Sequence, residues 1–230
     1  MIEWDKKGEQ FVLESRWDLI EPISFTLTQE AGLRIKAYPS VKEAVCDFEA
    51  LFADDPFSDA ALEYLWGRLA LYMEKWGYRE DRFRDRYGYI LTCDKDSVRT
   101  DRILPSTRRL CGEDDRINQT TYRLRDSEKN GCVMYGTEQD GAILSVAVSH
   151  TGVTAVSTAI EFGVETAPVA RQRGYAVSNL AAAVSSLDRG VTAFYRCHRY
   201  NLASLYTAES AGFGIIGQYY RYLGRKKNGI

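Results

Sequence analysis

Val164-Glu165-Thr166-Ala167-Pro168-Val169-Ala170-Arg171-Gln172-Arg173-Gly174-Tyr175-Ala176 is the stretch that decides the fold. It ends a long β-type run from Val153 to Thr166, is stopped by Pro168, and opens an apolar segment of helical period that continues through Leu180 and Val184 to about Leu187. Where a strand turns directly into a helix, the first backbone N–H groups of the helix lack intrahelical acceptors and the positive end of its dipole sits on the same spot. An Arg-x-x-Gly-x-Ala sequence there suits an anion. Gly174 removes the Cβ that would hold a phosphate off the backbone, and Ala176 keeps the first turn thin. The bare pattern occurs by chance in roughly one chain in five of this length, so its surroundings carry the weight.

Downstream, Gly190 closes the helix, Val191 to Cys197 returns as a strand, and Asn201 opens a helix to Ala211 as its N-cap. Gly212-Phe213 then leads into a tyrosine-rich last strand, Ile215 to Leu223. Upstream, Cys132 to Thr137 and Ala142 to Ser149 flank Asp140-Gly141 as a hairpin, with a turn at His150-Thr151-Gly152 before the long strand. Tyr87 to Cys93 reads as a strand and Pro105 to Cys111 as a short helix. Antiparallel pairing followed by strand-helix-strand crossovers predicts an α+β chain with a mixed sheet and helices on its faces.

The first part of the chain reads as a separate portion. Ile23 to Leu27 and Leu33 to Ala37 form a hairpin around Gln29-Glu30-Ala31-Gly32, and Ser40 with Glu43 is the capping box of a helix down to about Ala53. A second helix from about Ser58 to Lys75 carries Leu62, Leu65, Trp66, Leu69 and Met73 on one face. Arg79 to Arg86, dense in charges of alternating sign, is a solvated connector. The expected division is 1–85 as an N-terminal α+β portion packed on a core domain of 86–230.

Composition excludes several classes. With 230 residues, 45% hydrophobic and 27% charged, the chain is neither disordered nor fibrous, and it is long enough to bury about 70% of its unfolded surface without staples. A formal charge of −2 offers nucleic acid no whole-molecule attraction. The five cysteines form no C-x-x-C pair, the start MIEWDKKGEQ is charged where a signal peptide needs an apolar stretch, and no uncharged run approaches the roughly 18 residues of a membrane span. The expected location is cytoplasmic. His150 and His198 are the only histidines, too few and too badly placed for a metal site, and nothing matches G-x-S-x-G, H-E-x-x-H or a GK[ST] loop.

The series of long strand, Arg171-x-x-Gly174-x-Ala176, helix, strand and Asn201-x-x-Ser204 running on to Gly212-Phe213 resembles the Gcn5-related N-acetyltransferase (GNAT) superfamily. Within it, Asn201-x-x-Ser204 and Ala208-Glu209 before Gly212-Phe213 look closest to the zwittermicin-resistance-like branch. The resemblance covers about 86–230. It implies a sheet splayed between its fourth and fifth strands, with acetyl-coenzyme A (acetyl-CoA) lying in the splay as a substitute strand. By the same resemblance the backbone of Gln172, Arg173, Gly174, Tyr175 and Ala176 cradles the pyrophosphate, with Arg171 at the leading position. Val164, Glu165 and Thr166 hydrogen-bond the pantetheine arm, and Asn201 and Ser204 approach from the other side. A plain N-cap for Asn201 and an exposed helical serine for Ser204 are the readings without a ligand.

Acetyl transfer to an amine needs a base, because an ammonium is no nucleophile until it loses a proton. Glu161, Gly163 and Glu165 share one strand face by the period of two. In the family a fourth-strand Glu often fills this role, which makes Glu161 the first choice; a bulge near Val164 would swing Glu165 to the other face. The departure from the family is Ala208, where many members carry a tyrosine that protonates the departing thiolate. Tyr206 is turned ~200° away on the helix, and Cys197, His198, Tyr219, Tyr220 and Tyr222 stay open as substitutes. The expected activity is an acetyl-CoA-dependent N-acetyltransferase acting on a primary amine, probed against a non-catalytic acyl-CoA-binding module as the alternative. Its partners are acetyl-CoA and an amine acceptor, without metal, nucleic acid or membrane, and with a homodimer left open.

Overall fold

The computed structural model describes residues 1–13, 18–81, 87–154 and 158–227. Positions 82–86 of the charged run and 155–157 of the long β-type run lie outside the described residues. In chain order the first elements are β1 (Ile2–Trp4), α1 (Lys6–Leu13), β2 (Leu19–Thr28), β3 (Gly32–Ala37), α2 (Lys42–Phe52), α3 (Asp59–Lys75), β4 (Tyr78–Glu80) and β5 (Tyr87–Cys93). They are followed by β6 (Thr107–Arg109), α4 (Leu124–Lys129), β7 (Met134–Gln139), β8 (Ala142–Ser149), β9 (Ala159–Thr166), α5 (Tyr175–Ser185), β10 (Thr192–His198), α6 (Leu202–Ala211) and β11 (Gly214–Lys226). The chain is of mixed α+β class and divides into two compact units, one of 1–89 with the segment from Gly217 onward, the other Ile90–Ile216.

In the first unit β2 and β3 form the expected hairpin, paired from Ile23↔Ala37 to Thr28↔Gly32. β1 adds in parallel to β3, and the far part of β11 adds antiparallel to β2, from Gly217↔Thr28 to Arg225↔Leu19. Alternation places Ile23 and Phe25 inward, where they meet Phe48 of α2, Leu65 and Leu69 of α3, and Tyr220 and Tyr222 of β11. The C-terminal tyrosines are therefore core side chains of this unit; the Tyr220 hydroxyl accepts from Trp66 Nε1 at 2.6 Å. The Ser58 hydroxyl caps α3 by accepting from the Ala61 N–H. The expected capping box at Ser40 does not form. Pro39 leads the chain into a 3-10 turn over Pro39–Val41, α2 starts at Lys42 with Val41 at the N-cap, and Glu43 pairs with Arg68 at 3.2 Å instead.

The second unit holds the strand order β5-β10-β9-β8-β7-β6. The β7–β8 hairpin turns at Asp140-Gly141 as expected, with φ of 52° and 75°. β8 is buried along most of its length, and the alanine-rich α5 packs on β7, β8 and β9 with Leu180, Ala181, Ala183 and Val184 fully covered. The expected short helix at Pro105 to Cys111 is a strand, β6, because Thr107, Arg108 and Arg109 find Thr137, Gly136 and Tyr135 on the edge of β7. Arg108 fixes that edge through Asp114 and Glu138, both at 2.7 Å.

Candidate active site

The turn into α5 joins strand to helix where the sequence places it. Pro168–Ala170 forms a 3-10 turn, Arg171 is extended, Gln172 and Gly174 are left-handed at φ 63° and 78°, and α5 starts at Tyr175. The first helical bond comes from Ser178 N–H to the Gly174 carbonyl. Among the described residues nothing accepts from the backbone N–H groups of Gln172 through Val177. A Cβ on Gly174 meets nothing within 4 Å, so the left-handed backbone, rather than crowding inside the chain, selects glycine there. Tyr175 Oη and Arg173 Nη1 both donate to the Gln139 side chain, at 2.8 and 3.2 Å, and hold the turn against the end of β7.

The second component is a split in the sheet. β9 and β10 run parallel and pair only at Thr192↔Ala159, Ala193↔Ile160 and Phe194↔Glu161. Beyond Glu161 they part, while the other edge of β9 stays paired to β8 without a break from Phe162 to Thr166. From Gly163 to Thr166 β9 thus has no strand partner on its β10 side, and the Thr166 carbonyl accepts from Arg171 Nε at 3.5 Å. A cleft of about 330 Å³ fills the gap. Of the residues singled out for the cofactor, Val164, Glu165, Thr166, Arg171, Gln172, Gly174, Tyr175, Ala176, Asn201 and Ser204 line it, and Arg173 does not. Asn201 also caps α6, its side chain accepting from Ser204 N–H at 3.2 Å.

Tyr195 is a cleft residue that sequence reasoning missed. Its ring is buried edge-on against Phe213, and its hydroxyl shares a 2.8 Å hydrogen bond with Ser204 Oγ. Burial pushes the phenol pKa up, with the Ser204 bond working against it. The alternation of inward residues along Thr192 to His198 is the signal that could have found it. Ala208 has no exposed surface and leaves no room for a ring, whereas Tyr206 is exposed.

The two candidate carboxylates stand apart in role. The unbroken register with β8 rules out a bulge at Val164, so Glu161 and Glu165 keep one face. Glu165 lines the cleft, and its carboxylate accepts from Thr121 N–H at 3.1 Å and Thr121 Oγ1 at 2.6 Å. Glu161 accepts from Arg196 Nε and Nη2 at 2.8 and 2.7 Å and lies 3.8 Å from His150 Nδ1. Burial raises its pKa, but the hydrogen bonds and charges of His150 and Arg196 outweigh that and hold it at about 2. Glu161 is thus engaged as an ion pair with Arg196, whereas Glu165 faces the cleft.

No family model and no curated protein sequence matches the chain. Among solved structures, a protein from Novosphingobium aromaticivorans assigned to the GNAT family of acetyltransferases aligns over 66% of this chain and 69% of its own, at 20% identity and a TM-score of 0.50. A conserved protein of unknown function from Staphylococcus epidermidis aligns over 85% and 84%, at 9% identity and a TM-score of 0.51. The chain has the GNAT fold. In this GNAT fold the cleft lies where the sheet splits, with the turn into α5 at its mouth. Among the described residues no group of three or more His, Cys, Asp or Glu side chains could hold a metal ion, and no helix is long and apolar enough to cross a membrane.

Proposed function

We propose that this protein transfers the acetyl group of acetyl-CoA to the primary amine of a small molecule, by direct attack in a ternary complex. One observation carries the reading: the strand edge at Val164 to Thr166, which β10 does not pair, and the turn residues Gln172 and Gly174 to Val177, whose N–H groups have no acceptor among the described residues, line one cleft. A long ligand with an amide-bearing arm and a pyrophosphate needs both. Acetyl-CoA supplies the thioester whose carbonyl carbon the amine attacks. The turn at Gln172 to Ala176 binds the pyrophosphate, with Arg171 adding positive charge at the mouth, and the strand edge at Val164 to Thr166 pairs with the arm. Asn201 and Ser204 face the cleft from α6, and the Ser204–Tyr195 pair lines its inner wall. The zwittermicin-resistance-like pattern at Asn201 to Phe213 agrees with a small-molecule acceptor, and a cytoplasmic location agrees with the free cysteines.

Calorimetric titration with acetyl-CoA, followed by release of free thiol against a panel of amines, tests the proposal. Binding with amine-dependent thiol release is expected. Tight binding with no release on any amine leaves a binding module and sinks the catalytic reading.

A further inference from the structure

The face of β9 that carries Glu161, Gly163 and Glu165 is built around a missing side chain. A Cβ on Gly163 would overlap the phenol oxygen of Tyr122 and stand 2.7 Å from Nε2 of His150. A glycine inside a strand marks a close approach of another group. Here two polar tips converge over one backbone position, just past the last β9–β10 pair and one residue before Val164, which lines the cleft. The two carboxylates of this face are both engaged, Glu165 by Thr121 and Glu161 by Arg196. His150 Nε2 has no hydrogen-bond partner among the described residues, and its side chain is 47% exposed.

The placement of the ring is not accidental to the strand. His150 N–H donates to the Glu161 carbonyl at 2.8 Å, which pins the residue opposite Glu161, and Nδ1 faces the Glu161 carboxylate. A carboxylate at Nδ1 favours the tautomer with its proton on that nitrogen, leaving a lone pair on Nε2 over Gly163. Imidazole is also the side chain that exchanges a proton near neutral pH. The groups around it are Glu161 of β9, Arg196 of β10 and Tyr122 from the segment before α4. Burial, then the charges of Tyr195, Glu165 and Glu161, push the Tyr122 phenol up to about 12, so it stays protonated and does not compete for the amine proton.

We propose that His150 takes the proton from the acceptor amine and that Glu161, held by Arg196, positions and charge-balances it. The inference rests on the acetyl-transfer reading above. The ammonium gives a proton to Nε2, and the freed lone pair attacks the thioester carbonyl carbon. The C–S bond breaks with its electron pair on sulfur, the proton shed by the acylated nitrogen ends on the thiolate, and the imidazolium returns its proton to water.

The test uses the full chain with acetyl-CoA and the best amine of the panel. His150→Gln should lower kcat by ~10²-fold or more and remove the acidic limb of the pH–rate profile, while calorimetric affinity for acetyl-CoA stays within about twofold. Glu161→Gln should cost less than His150→Gln and keep the acidic limb, because Nε2 of His150 is still there to take the proton. A His150→Gln variant that keeps its rate within tenfold and keeps its acidic limb overturns the proposal, as does a Glu161→Gln variant that loses the limb altogether. If the parent protein releases no thiol with any amine, the acetyl-transfer reading fails first and takes this inference with it.

Discussion

Gly174→Val separates backbone conformation from ligand contact at the turn into α5. At φ 78° with nothing within 4 Å of a Cβ, the first added atom meets no neighbour, and the main cost is the left-handed backbone. For a β-branched residue that is on the order of 1–3 kcal/mol. In a chain of this length each kcal/mol lowers Tm by roughly 2–4 °C, so the variant should remain folded and melt roughly 2–12 °C lower. Binding should suffer far more. The added methyl groups stand where the pyrophosphate must come to the N–H groups, and relief of the left-handed conformation turns those groups away. A melting curve and a calorimetric titration with acetyl-CoA on the same preparation give both numbers. A folded variant of unchanged affinity refutes the assignment of this turn to the pyrophosphate; a variant that fails to fold refutes the claim that the site is open.

Three further outcomes are expected. Ala208→Tyr gives no gain in kcat and destabilises by ~1–3 kcal/mol in urea titration, because Ala208 has no exposed surface and a ring displaces its neighbours. Tyr206→Phe and Cys197→Ser each cost less than about tenfold in kcat by steady-state kinetics, since Tyr206 faces solvent and Cys197 is buried. Glu161 sits at about 2 in the fold against 4.5 for a free glutamate, so the stability it contributes is present above pH 4.5 and is lost as pH falls toward 2. That contribution is at most ~3 kcal/mol, and the stability gap between parent and Glu161→Gln in urea titrations should close across that window.

What the sequence revealed and what it hid divide along range. The turn at Arg171 to Ala176, the Asn201 cap and the Asp140-Gly141 hairpin are local devices whose residue types act on their own backbone. They were legible. β6 is a strand because of the β7 edge opposite it, which no local pattern shows, and the 3-10 turn at Pro39 moves the N-cap of α2 from Ser40 to Val41. The last strand was legible as a strand, but its partner, β2, stands at the other end of the chain. The same limit applies in the site. That Glu161 and Glu165 share a face follows from period two, whereas the state of Glu161 depends on Arg196, 35 positions away. Tyr122 belongs to no local pattern, and Tyr195 shows only the alternation of its strand; the fold alone brings them to β9 and Ser204.

The most direct test of the central claim is a crystal structure of the protein with acetyl-CoA. The pyrophosphate should lie on the N–H groups of Gln172 through Val177, the pantetheine amides should pair with 163–166 in the gap between β9 and β10, and the thioester should lie beside Gly163. Acetyl-CoA bound at another surface, or a β9–β10 gap closed by strand pairing in the complex, contradicts it.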